Sequence, residues 1–270
     1  STQDISDGKA TDNHGEFFVA PMMKAYRLFT ALQTKFPAEI TPARLALWRT
    51  RLSLPRSQFM NMGVKQNWRT YAAKGEWLRQ QDGFITDGTA WIEGNWTLAS
   101  EGGQRERLTR AESLGQSPAL NLYHDDTGTP ETFAYNGGAA GNLLDMLEAG
   151  YDGPSAGEIR QLLQRNLTAC LLLMGGSGEA PAGGRTGDHV WNDVVYANDY
   201  DLMAEIAARS GDDRLAGQFR RAARLAFRSA WRFQQEPGWM SVTKSLFHPA
   251  LKNRYATYSA LTNYNGYVQI

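Results

Sequence analysis

Between Gly183 and Asp193 the chain reads Gly-Gly-Arg-Thr-Gly-Asp-His-Val-Trp-Asn-Asp. That run sets a guanidinium (Arg185), two carboxylates (Asp188, Asp193), an imidazole (His189), an indole (Trp191) and an amide (Asn192) side by side. A guanidinium forks onto carboxylates, an imidazole moves protons near neutrality, and an indole joins an apolar face to a polar edge. Together they suit a sugar-binding cleft, because sugars present apolar ring faces and many hydroxyls. The structural alternative is a helix start in which Asp188 caps, His189 packs in the first turn and Asp193 follows on the same side. The glycine-rich approach carries neither Gly-x-x-x-x-Gly-Lys-Ser/Thr nor Gly-x-Gly-x-x-Gly, so it is not a nucleotide phosphate cradle.

Other groups of the same chemical kind lie along the chain. His14 and Glu16 stand before the first expected helix, where they can contact a ligand or transfer a proton; Asp12 or Asn13 can equally cap that helix. Asn67-Trp68-Arg69-Thr70-Tyr71, followed by Glu76-Trp77, offers amide, indole and phenol for sugar contact, or core anchors. Tyr123-His124-Asp125-Asp126 leads to Glu131 and Tyr135-Asn136-Gly137-Gly138, and His248 leads to Asn253, Arg254, Tyr255 and Tyr258. Their Asp and Asn oxygens suit calcium, but no EF-hand spacing occurs. The histidines form no His-Glu-x-x-His pair. The expectation is therefore no cofactor and no catalytic metal, with a structural divalent cation left open.

The chain has 270 residues, 28 basic and 28 acidic side chains, and a single cysteine, Cys170. A neutral balance gives no global field for nucleic acid or an anionic membrane. No stretch has the length of a membrane span, so no integral membrane association is expected. Cys170 sits in the apolar run 167–174 and reads as core filling. The arginines at 214, 220, 221, 224, 228 and 232 recur mostly every three or four residues, as on a solvated helix face. Asn95-Trp96-Thr97 and Asn166-Leu167-Thr168 meet the minimal glycosylation rule. The start lacks an initiator Met and a signal peptide's charged and apolar parts, which reads as a processed terminus or an internal fragment.

Apolar periodicity predicts helices over 17–36, from Pro42 to before Pro55, and over 64–81, where Gly75 weakens the pattern. Residues 89–98 read as strand, short helix or aromatic loop, and 105–114 as a polar helix. Further helices are expected over 139–149, after a Ser155 cap with Glu158 completing a capping box, over 190–209, and from Asp212 or Asp213 to about 235. The helix after Ser155 is expected to bury Ile159, Leu162, Leu163, Leu167, Leu171 and Leu172. Period-two alternation is scarce, so the fold class is all-α, one helical catalytic-type domain over 1–270, truncated at one or both ends.

This rhythm of helices and polar-aromatic loops resembles the α/α-toroid domains of polysaccharide lyases and of glycosidases acting on uronic-acid sugars. The resemblance implies an incomplete toroid of helical hairpins and an acidic poly- or oligosaccharide as partner. It implies that Arg185 and Asn192 neutralise the uronate carboxylate, that His189 or His14 abstracts the neighbouring proton, and that Tyr71 protonates the departing oxygen in a β-elimination. Asn67, Trp68, Trp191, Tyr135, Asn136, Arg254 and Tyr258 would line the cleft. A uronoside hydrolase would need two carboxylates instead, drawn from Asp188, Asp193, Glu16, Glu76 and Glu93. A helical glycan-binding domain would need no acid or base. The suspected activity implies a secreted or periplasmic setting; oligomeric state is not legible.

Overall fold

The computed structural model describes residues 15–58, 60–63, 66–98, 103–113, 120–125, 133–181, 183–184, 187–234, 240–241 and 243–244. Of the sequence-derived candidates, His14, Arg185, Arg254 and Tyr258 lie outside these residues. The described residues form nine α-helices and no strand: α1 (Glu16–Leu32), α2 (Pro42–Leu52), α3 (Trp68–Gln81), α4 (Gly88–Trp96), α5 (Gln104–Ser113), α6 (Phe133–Glu148), α7 (Ala156–Leu172), α8 (Val190–Arg209) and α9 (Asp213–Trp231). None of them is long and apolar enough to cross a membrane. The chain divides into two compact units, Ser1–Glu106 with Asp145–Gly157, and Arg107–Leu144 with Glu158–Ile270.

In the first unit, α1 lies along α3. Gly75 is the reason the two come close: a Cβ there would stand 2.8 Å from Val19 Cγ1 and 3.3 Å from the Ala20 nitrogen. The glycine that weakens the α3 helix pattern is thus the seat of Val19. Phe17 packs its ring on Trp68 (5.1 Å) and Tyr71 (4.7 Å), two turns and one turn earlier on α3. Thr41 caps α2 as its spacing to Pro42 predicts, its side chain accepting from the Arg44 nitrogen at 3.2 Å. Residues 88–96 resolve the strand-or-helix ambiguity as helix. Ser155 directly precedes α7, and its hydroxyl donates to Glu93 Oε2 at 2.5 Å.

A buried ion cluster ties this unit together. Glu76 is fully buried and accepts from Arg79 Nη1 (2.6 Å) and Arg56 Nε (2.5 Å). Arg79, 1% exposed, also donates to the carbonyls of Leu52 (2.8 Å) and Leu54 (2.6 Å), closing the end of α2 onto α3. Every charge taken from water here has a partner, the condition under which buried ions persist.

The second unit is built from two antiparallel hairpins. Asn136, near the start of α6, meets Asn166 and Cys170, near the end of α7. In the α8–α9 pair, Asp193 meets Ser229 and Asp201 meets Arg220. Between the hairpins, α6 and α8 run parallel: Tyr196 serves Phe133 and Asn136, and one turn further Asp199 faces Gly141. A Cβ at Gly141 would fall 2.4 Å from Asp199 Oδ1, so a larger residue there would have to push the Asp199 carboxylate aside. Helix α6 begins at Phe133, not near 139, and inside it Gly137 serves close packing: a Cβ there would stand 3.1 Å from Tyr196 and Val195 on α8. Helix α7 buries Ile159, Leu162, Leu163 and Leu167, but Leu172 is 77% exposed and Leu171 half-buried. Asn166 and Cys170 continue the buried stripe, and Leu172, two residues past Cys170, points to the opposite side.

Candidate functional site

The described part of the 183–193 run lies in the second unit and opens α8. Helix α8 starts at Val190 with His189 in the N-cap position (φ −77°, ψ 135°) and no side-chain cap. Asp188 therefore stands one residue outside the helix and does not cap it; its carbonyl accepts from the Lys244 nitrogen at 2.8 Å. His189 also forms an antiparallel bridge with Thr243. His189 is 3% exposed, and its Nδ1 accepts from the Trp191 indole Nε1 at 3.1 Å. Burial lowers the His189 pKa below the ordinary imidazole value, with the Asp188 charge pulling the other way. The ring is thus neutral at neutral pH. With its Nδ1 lone pair turned to the indole, the proton resides on Nε2, which makes His189 a donor there. Trp191 is half-buried and Asp188 exposed, whereas Asn192 is 1% exposed.

Asp193, cast from the sequence as an acid or base, is fully buried and fully engaged. Its Oδ1 accepts from the Ala180 nitrogen (2.8 Å) and Lys244 Nζ (2.6 Å), and its Oδ2 from the Ser229 hydroxyl (2.8 Å). It pins the 180 loop, α9 and the 244 segment to α8. Lys244 and Ser229 were not picked out as candidates. Ser229 falls on the same α9 face as the buried Ala222 and Ala226, a pattern readable in the sequence, while nothing local marks Lys244.

Asn136 is likewise inside the fold. Its Oδ1 accepts from the Tyr123 nitrogen (2.8 Å) and Asn166 Nδ2 (2.7 Å), and its Nδ2 reaches Tyr196 Oη (3.0 Å) and Cys170 Sγ (3.3 Å). Asn166 Nδ2 also holds the carbonyl of Asn121, the one non-glycine residue with positive φ (38°) among the described residues. This amide ladder fixes the 121–125 segment and leaves Asn166 unable to accept a glycan in the folded chain. Tyr135 is half-buried in the first turn of α6. Cys170 is fully buried, and burial pushes its thiol up to about 12. Native protein should therefore resist iodoacetamide at mildly alkaline pH and be alkylated once unfolded, read by intact mass.

The candidates of the first unit lie at the start of α3 and against α1. Asn67 is 6% exposed and precedes α3, its carbonyl accepting from the Thr70 hydroxyl at 2.6 Å. Trp68 and Tyr71 hold Phe17 between them. The Trp77 indole donates to the Ala149 carbonyl at 2.9 Å and meets Tyr151 edge-on. Glu93 accepts from Ser155 and Tyr151, which with burial sets its pKa, the bonds prevailing and lowering it. Asn67, Trp68 and Tyr71 thus belong to one unit, and Tyr135, Asn136, Asp188, His189, Trp191, Asn192 and Asp193 to the other. His124, half-buried in the second unit, is lowered in pKa by burial and by the Arg110 and Arg107 charges. No group of three or more His, Cys, Asp or Glu side chains among the described residues can hold a metal ion.

No protein-family model matches this chain, nor does any curated protein or solved structure match it significantly.

Proposed function

We propose that the chain is part of an α/α toroid that binds a uronic-acid-containing glycan at the N-terminal end of α8 and cleaves it by β-elimination. The observation that carries this reading is His189, held neutral by burial and oriented by the Trp191 indole so that Nε2–H is the donor. The parallel pair α6 and α8, each joined to an antiparallel neighbour, is the arrangement that a ring of helical hairpins requires. It brings the first turns of both helices, with Tyr135 and Trp191, to one end of the unit, where helix N-termini favour an anion.

In elimination, the proton beside the carboxylate leaves, negative charge spreads into the carboxyl group, and the glycosidic oxygen departs with a proton. Nε2–H of His189 hydrogen-bonds the carboxylate as that charge grows, and Arg185, from the same loop, forks onto it. The half-buried Trp191 stacks on a sugar ring. His189 is a poor base in this tautomer, so the proton passes to a tyrosine in its phenolate form, Tyr135 at the same helix ends, and the phenol so formed returns it to the departing glycosidic oxygen. Hydrolysis is the weaker reading because, of the carboxylates named for it, Asp188 alone is exposed.

The test is incubation with polyuronates, following the ultraviolet band of the unsaturated uronate and new reducing ends together. Both should rise. Reducing ends without the band would assign hydrolysis, and binding without either a glycan-binding domain. His189→Ala should lower kcat/KM about 100-fold, as removal of a charge-stabilising donor does.

A further inference from the structure

Helix α9 presents two opposite faces. Phe219, Ala222, Ala223, Ala226 and Ala230 are buried. Arg214, Arg221, Arg224 and Arg228 are exposed, at spacings of three, four and seven residues that put them on one stripe. None of these four has a hydrogen bond or ion pair with a described residue. The nearby acids are already engaged: Asp201 and Glu205 by Arg220, and Glu179 by Arg232. Like charges at these spacings repel and weaken a helix. Gly217, Arg220, Arg221, Arg224, Leu225 and Arg228 line one open face of the helix. Beside Arg224 and Arg228, Phe227 and Trp231 stack at 5.6 Å while more than half exposed.

We propose that this face of α9, opposite the one on which Ser229 meets α8, is a docking rail for a linear anionic polysaccharide. Arg214, Arg221 and Arg228 follow one another every seven residues, about 10.5 Å along the helix. That is close to the length of a disaccharide in an extended chain, so each arginine meets one anionic group per repeat. Phe227 and Trp231 supply the apolar platform for a sugar ring. A membrane would need α9 to turn its apolar face outward, and that face is buried in the unit. Nucleic acid would be met by a chain with equal numbers of basic and acidic groups, without the basic excess typical of such binders. The inference does not depend on elimination at α8.

The test is fluorescence anisotropy of the full chain with labelled polygalacturonate and heparin oligosaccharides, in a His189→Ala background so that cleavage does not consume the probe. Binding should weaken with salt. Arg224→Glu should cut affinity at least tenfold yet raise or preserve Tm, because a glutamate at 224 lies three and four residues from Arg221 and Arg228 and pairs with both. Trp231→Ala should weaken binding with its salt dependence unchanged. Preference between the two probes assigns carboxylate or sulfate recognition. The proposal is overturned if neither glycan binds, if Arg224→Glu binds like the parent, or if an equally charged oligonucleotide or anionic phosphatidylserine vesicles bind more tightly through the same arginine.

Discussion

Glu76→Gln is expected to cost about 3–5 kcal/mol, the penalty for breaking a buried ion pair from one side. Glutamine keeps the shape of the side chain and removes its charge. Arg79 is 1% exposed and would lose its charged partner Glu76, while the bonds to the neutral Leu52 and Leu54 carbonyls stay. Arg56 is less affected, because Asp87 still accepts both of its terminal nitrogens at 2.7 Å. For a chain of this size the loss corresponds to a fall in Tm on the order of 10 °C. Thermal melting by circular dichroism checks it. The double variant Glu76→Gln, Arg79→Met should recover part of the loss, since it removes the orphaned charge as well. An unchanged melt for the single variant would mean that the charge on Glu76 does not hold α2 to α3.

Asp193→Ala should destabilise the second unit by a similar amount, about 3–5 kcal/mol, for the same reason. Lys244 would lose its buried counter-charge, and the Ala180 nitrogen and Ser229 hydroxyl would lose their acceptors. The consequence separates a structural carboxylate from a catalytic one. A catalytic aspartate can be removed with the fold intact and activity abolished. Here the melt should fall steeply, while the fraction that remains folded keeps the elimination activity proposed for the α8 end. Titrating urea against both tryptophan emission and activity measures the two together. A normal melt with lost turnover would return Asp193 to the chemistry.

Local signals carried the helix assignments. Residues 190–209 have the same bounds in the structure as in the periodicity, and Thr41 and Asp212 cap where their spacing requires. Those features depend on neighbours within a turn. Helix α6 extends six residues before the expected start at 139, and the glycine in that extension, Gly137, packs against α8, a contact that depends on residues far away in sequence. The same limit governs the carboxylates. Residue type marks Asp193 and Glu76 as able to titrate, but their burial and partners decide their work. Asp193 is completed by Ser229 and Lys244, 36 and 51 positions later. The aromatics divide on the same principle: Trp77 sits in the core, while Trp191, with an equally polar setting in sequence, reaches the surface in part.

The reading of the α8 end rests on the protonation state of one ring, and nitrogen-15 NMR of histidine-labelled protein observes it directly. His189→Gln identifies the resonance among the four histidines. The expected spectrum at neutral pH is that of a neutral imidazole protonated on Nε2, with a titration midpoint below the ordinary histidine value and a shift of the Nε2 signal when a uronate oligosaccharide is added. An imidazolium at neutral pH, or a neutral ring protonated on Nδ1, would contradict the Trp191–His189 hydrogen bond and with it the donor role from which the elimination chemistry is built.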